Sequence, residues 1–370
     1  MPVAEPKNHA YMRGVAQSAV LFGIIHNMTL RKTIVLSVFA AASFVAAAVS
    51  PGASPGPGIR YATDAYPGFD SEDEIIKPSR KEPRWFSWLN GPKRDTAAEQ
   101  FAYAAELASA EDWKGARKAY DALVREWPTS PEAPKAQKAI GDILLSRELD
   151  YEEAFKEYRY LVDFYSSQCD YDEAVETLYK IAELMREEGK TVVFFRFDNT
   201  VDVRRAYEAV VLRAPGAKFA PEAMLTIAKL REDEDKPETA VTVYENLRNL
   251  HPSAPESDEA LYREAKARMV VLHRCEYNRD RVRDNIDFMR MALGSRKLDS
   301  ERRAEVEGFL AEAKSMIEEE AYKAAKFYDS RTRTKRSAIS AYERFLDEYP
   351  ASDRAPEVRR RLFELQEEVK

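Results

Sequence analysis

The chain has 370 residues, of which 33% are charged and 45% hydrophobic, with only 13 glycines and two cysteines. That mixture suits charge-rich helices better than a sheet sandwich, and two cysteines are too few for a disulfide framework or a metal cluster. A net charge of −7 with both signs interspersed leaves no concentrated basic face, which argues against nucleic acid as the partner.

The first informative stretch is 28–50. Arg31 and Lys32 precede Thr33 to Val49, which carries no charge and ends in Ala46, Ala47 and Ala48. A positive region, a short apolar core and an Ala-x-Ala-like end predict a secretory signal peptide, with an uncleaved N-terminal membrane anchor as the alternative. Met28 sits just before the positive region, so residues 1–27 are expected to be an extension from a wrong start codon. Residues 51–94 read as a disordered linker, because Pro, Gly and Ser fill 51–58 and acids cluster from Asp70 to Glu74. Within it stands an aromatic knot, Trp85, Phe86, Trp88 and Leu89. Such a knot can cap the first repeat or anchor a partner, and Trp85 and Trp88 are candidate partner-binding residues.

From residue 95 to 370 apolar positions recur at helical spacing, and the spacing itself repeats. Ala116, Tyr120, Leu123 and Pro128 set the pattern. It returns as Ala154, Tyr158, Leu161 and Ser166, then Val203, Tyr207, Val210 and Pro215, then Ala240, Tyr244, Leu247 and Pro252. Val282, Ile286, Met289 and Gly294 make a weaker copy, and Ala338, Tyr342, Phe345 and Pro350 the last. Positions i, i+4 and i+7 share one helix face, the small residue admits a neighbouring helix, and proline ends the helix. Ahead of these, Tyr103, Ala104 and Leu107, and then Ile140, Gly141 and Leu144, are expected to carry the buried stripe of the partner helix.

This is the tetratricopeptide pattern: an all-α, right-handed solenoid of about five to six helix pairs with a C-terminal capping helix, Pro356 to Lys370, whose Arg359 to Arg361 run suits a solvent-facing cap. The longer intervals predict a loop from Gly189 to Asp202, including Val192 to Phe195, and a long helix from Asp299 to Phe327. The basic run Arg331, Arg333, Lys335 and Arg336 falls in a connector, as a solvated loop or a dock for an acidic partner. A solenoid of this kind presents an inner face built from its first helices. By register that face should include Phe101, Lys135, Lys138 and Asp142, where an extended client segment could lie.

Catalytic chemistry is not legible. The four histidines are His9, His26, His251 and His273, and His273 and Cys275 do not share a helical face. There is no phosphate loop, nucleophile elbow or zinc-binding helix motif. The chain therefore reads as a scaffold, not an enzyme, with no cofactor, metal or small-molecule substrate. Whether Cys169 and Cys275 pair is left open by the sequence.

The phrase at residues 116–133 and the last repeat, Ala325 to Ser330 with Ala338 to Ser352, resemble BamD-like outer-membrane assembly proteins. So does the longer third repeat, with Arg196, Phe197 and Asp198 ahead of Tyr207. The resemblance implies a periplasmic scaffold at the outer membrane of a Gram-negative-type envelope. Its partners would be the β-barrel assembly machinery and unfolded client segments. Another envelope scaffold, coordinating cell division or peptidoglycan synthesis and anchored in the inner membrane, is the alternative. Members of that family are usually lipoproteins, but no cysteine precedes Cys169 here. Membrane association would come from partners or the N-terminal segment.

Overall fold

A computed structural model describes residues 66–70, 91–191, 199–331 and 335–369, all of which lie in one compact unit, Gly58–Lys370. The signal-like segment, the knot at Trp85 to Leu89, and Val192 to Asp198 fall outside these residues. Among the described residues there are thirteen α-helices and no strand.

The first pair is α1 (Ala97–Ser109) with α2 (Trp113–Glu126). The second is α3 (Ala133–Ile143), prolonged by a π turn (Leu144–Glu148), with α4 (Tyr151–Phe164). Then come α5 (Tyr171–Thr191) with α6 (Asn199–Arg213), α7 (Ala220–Asp233) with α8 (Pro237–Leu250), and α9 (Glu256–Arg274) with α10 (Arg279–Gly294). The sixth pair is α11 (Ser300–Asp329) with α12 (Lys335–Glu348), and α13 (Ala355–Val369) closes the solenoid. The expected number of pairs and the cap are both present.

Local chemistry places the helix starts. Thr96, Asp112, Asp150, Asn278 and Asp299 each accept a hydrogen bond from an amide three residues on, at 2.8–3.3 Å. Such caps satisfy amides that a helix leaves open at its first turn. The turn from one repeat to the next is equally regular. The amide of Trp127 donates to Leu123 O, Ser130 to Trp127 O, and Ala133 to Ser130 O, at 2.8–3.1 Å. The same three bonds recur at 247, 251, 254 and 257, at 210, 214, 217 and 220, and at 345, 349, 352 and 355. Ser166 occupies the place of the proline in the second copy. There the pattern changes, and both Gln168 and Cys169 donate to Tyr165 O.

All the periodic anchors on α2, α4, α6, α8, α10 and α12 are buried, from Ala116, Tyr120 and Leu123 to Ala338, Tyr342 and Phe345. Burying each large side chain contributes roughly 1.5–3 kcal/mol. The small anchors let helices approach, and Gly141 shows how closely: a Cβ there would lie 2.6 Å from Tyr158 Cδ2. On α1 only Ala104 of the expected stripe is fully buried; Tyr103 and Leu107 are half-buried against the same core.

Three expectations change. The break before α6 is shorter than Gly189 to Asp202, since α5 continues to Thr191 and Asn199 opens α6; one glycine near a helix end costs only about 1 kcal/mol. Arg361 is not solvent-facing like Arg359 and Arg360 but turns to Asp329 at 2.8 Å. Residues 66–70, inside the expected linker, are ordered against the middle of the solenoid. Cys169 and Cys275 are not joined; both are half-buried thiols.

Candidate protein-binding surfaces

Two surfaces bring functional side chains together. The first is the face made by the first helices of the pairs, which touch one another directly, α7 with α9 and α9 with α11. Cross-links run along it from one first helix to the next. Lys138 on α3 reaches Glu173 on α5 at 3.3 Å. Tyr179 on α5 stacks on Phe219, just before α7, with ring centroids 4.8 Å apart. Glu232 on α7 meets Arg263 on α9 at 3.1 Å. Glu259 on α9 meets Arg302 on α11 at 2.5 Å, and the Tyr262 hydroxyl donates to Glu305. Asp329 on α11 accepts two hydrogen bonds from Arg361 on α13, at 2.8 and 2.9 Å.

Carboxylates on the first helices also receive the anchor tyrosines. Tyr158 donates to Asp142, Tyr207 to Glu183, and Tyr342 to Asp329. Tyr244 lies against Glu232 and Arg263. Burial and the facing carboxylate push each of these phenols well above the usual tyrosine range. The hydroxyls therefore stay protonated, and those of Tyr158, Tyr207 and Tyr342 donate. The cores of the second, third, fourth and sixth pairs are thus in contact with charge near the exposed face.

The residues expected on this face are distributed as follows. Lys135 is exposed on α3, and Lys138 and Asp142 are half-buried one turn apart, 3.8 Å from each other. Phe101 is half-buried, and its ring lies 5.3 Å from that of Tyr120 in the packing of the first pair. Trp85 and Trp88 lie outside the described residues. Register could also have found two glutamines. Gln100 and Gln137, both buried, donate to the carbonyls of Ala119 and Glu157, each just before an anchor tyrosine.

The second surface was not legible in the sequence. Tyr66, Pro67, Gly68 and Phe69 form a tight turn closed by the Phe69 amide on Tyr66 O at 3.1 Å. Gly68 has φ +92°, the left-handed value that the third position of a type II turn requires after proline. The aromatic rings of Tyr66 and Phe69 stack at 5.3 Å and pack on the main core. Gly68 presses on α8, where a Cβ would lie 3.0 Å from Val243 Cγ2.

Asp70 then enters a buried charge cluster. It takes 2.8 Å contact from Arg204 on α6 and 2.7 Å contact from Arg231 on α7. Arg204 also pairs with Glu208 at 2.7 Å and Glu234 at 2.5 Å. The side chains of Arg204, Glu208 and Arg231 are 1%, 0% and 3% exposed. Desolvation opposes ionisation of Asp70, yet the two guanidiniums win and hold its carboxyl at about 2. At Glu208 desolvation wins over the arginines, with Asp70 adding repulsion, and the carboxyl is pushed up to about 7.

Among the described residues no group of three or more His, Cys, Asp or Glu is placed to hold a metal. No described helix is long and apolar enough to cross a membrane.

Comparison with known proteins agrees with the geometry. The tetratricopeptide repeat family profile matches residues 222–254, which span α7 and α8. A tetratricopeptide repeat protein from Parabacteroides merdae is 15% identical over 73% of this chain and 98% of its own, with a TM-score of 0.27. The assembly chaperone of RpL4 is 14% identical over 74% of this chain and 99% of its own, with a TM-score of 0.21. No curated protein matches the chain. Six stacked helix pairs with one recurring turn, and a profile match on the fourth pair, make this an all-helical repeat protein of tetratricopeptide type, a scaffold for protein–protein interaction.

Proposed function

We propose that the chain is an exported periplasmic scaffold that holds unfolded client segments during assembly of β-barrel proteins into an outer membrane. The observation that carries the scaffold reading is the unbroken series of first helices, cross-linked by partly exposed charge pairs from Lys138 to Arg361. Pairs of this kind give up little when an incoming backbone or side chain replaces one partner. The signal-like segment at 28–50 and the resemblance of residues 116–133 and 325–352 to BamD-like proteins support the envelope role. The client would run across Lys135, Lys138 and Asp142 in an extended form, its own charges exchanging with the pairs.

A photo-crosslinking residue at Lys135, in cells, tests the assignment. Capture of β-barrel assembly components or nascent barrel proteins is expected, with a drop in outer-membrane barrels on depletion. Capture of cell-division or peptidoglycan-synthesis proteins, with barrel levels unchanged, would overturn it in favour of another envelope scaffold.

A further inference from the structure

The turn at residues 66–70 is recognised the way a ligand is recognised. The groups it offers are read by three helices, α6, α7 and α8, together with the core. Its two aromatic rings sit on the core. Its Pro67 carbonyl accepts from Asn246 Nδ2 on α8 at 2.8 Å, and its Gly68 carbonyl from Arg231 on α7 at 2.9 Å. The Asp70 amide donates to Glu208 on α6 at 3.3 Å, and the Asp70 carboxylate takes both buried guanidiniums. Gly68 is enforced twice, by its positive φ and by Val243 and Thr239 close against it.

The groove residues come from α6, α7 and α8, more than 130 positions away in sequence. They lie within a fourth pair and its neighbour that keep the regular repeat packing. Among the described residues, the polar contacts to the turn all come from these three helices, and their chemistry is narrow. Two buried arginines accept one more carboxylate, and the adjoining apolar seat accepts two stacked rings.

We propose that the groove between α6 and α8 is a second recognition site on this scaffold, specific for an aromatic–Pro–Gly–aromatic–Asp turn, with Tyr66–Asp70 as the ligand that fills it in cis. A partner would reach it by presenting a turn of the same chemistry. The tether gives the cis turn a high effective concentration, so a free peptide competes poorly until the cis copy is weakened. Ionised Asp70 is the form that binds, and the arginines keep it ionised at neutral pH.

The test uses the full chain and a fluorescent peptide of residues 63–73. In one variant Gly68→Val and Asp70→Asn detach the cis turn and leave the groove intact; Asp70→Asn alone is the milder form. The peptide is expected to bind the detached chain at least about tenfold more tightly than the unaltered chain. The same peptide with Asn at the Asp70 position should bind about tenfold or more weakly, through loss of a charge-assisted contact. Asn246→Ala in the detached chain should weaken binding severalfold with helicity unchanged. Equal binding of the Asp and Asn peptides, or no binding to a detached chain that keeps its circular dichroism, overturns the proposal. Failure of both detached variants to fold also overturns it, because the turn is then part of the core and not a ligand.

Discussion

The same ion pair is used in two ways on the two faces of the solenoid. On the face of the first helices, Arg302 with Glu259 and Arg263 with Glu232 keep 23–34% of their side-chain surface in water. In the groove of the second helices, Arg204 and Glu208 keep 1% and 0%. Water screens the first kind, so each pair stabilises by only about 0–1 kcal/mol and gains little from one particular partner. Removal from water makes the second kind costly unless every charge is met. The exposed face can thus accept varied chains, whereas the groove accepts a single arrangement, and here that arrangement comes from residues 66–70.

Arg204→Ala should break this contrast most severely. It leaves Asp70, Glu208 and Glu234 without the guanidinium that contacts all three. Loss of one partner from a buried network destabilises by about 3–5 kcal/mol. Denaturant unfolding measures it, and a loss below about 1 kcal/mol would put the groove on the same footing as the exposed pairs.

Gly141→Ala separates packing from charge. The new methyl meets the ring of Tyr158, an anchor held between helices, at 2.6 Å. Overpacking of this kind costs about 1–3 kcal/mol. The loss should be the same at low and high salt, since no charge is moved. A salt-dependent loss would mean that the Tyr158–Asp142 contact, not the packing, carries the effect.

The groove should also respond to pH in two opposite limbs. Glu208 faces Arg204 on its own helix, Arg231 from α7 and Asp70 from the turn, with Glu234, Arg205 and Lys236 around them. Its carboxyl is raised to about 7, so the folded state holds a proton that the unfolded state releases above about 4.5. Stability therefore rises as pH falls from about 7 toward 4.5. Asp70 is lowered to about 2 from 3.8, so its contribution is present above 3.8 and is lost as pH falls toward 2. Melting temperatures across pH 2 to 8 should show both limbs, and Glu208→Gln should remove only the upper one.

The contrast also explains what the sequence could and could not reveal. Periodic anchors such as Ala240, Tyr244 and Leu247 are legible because burial imposes a fixed spacing on one helix face, and all of them are buried. The turn prolines are legible because proline cannot continue a helix beyond its first turn. The groove is different. Arg204 and Glu208 flank the anchors Val203 and Tyr207 one position further on, where a charge ordinarily points to solvent. Their partner Asp70 lies 134 residues from Arg204, in a stretch whose composition reads as linker. Pro67 followed by Gly68 suits a type II turn, but no local rule says where a turn will dock. Phe101, which register placed on the face of the first helices, is half-buried with its ring 5.3 Å from that of Tyr120.

The smallest effect is expected on that face. Arg302→Ala removes a contact to Glu259 and one over the Tyr262 ring at 5.1 Å, both near solvent. It should destabilise by about 0.2–1 kcal/mol, and that difference should shrink as salt is added. A double-mutant cycle with Glu259→Ala isolates the pair, and a coupling near zero is the outcome that keeps this face interchangeable. A coupling of about 3 kcal/mol, as in a buried network, would mean that the first helices are locked to one another at this point. A client could then cross α9 and α11 only by prising them apart, and the division of labour between a permissive face and a selective groove would fail.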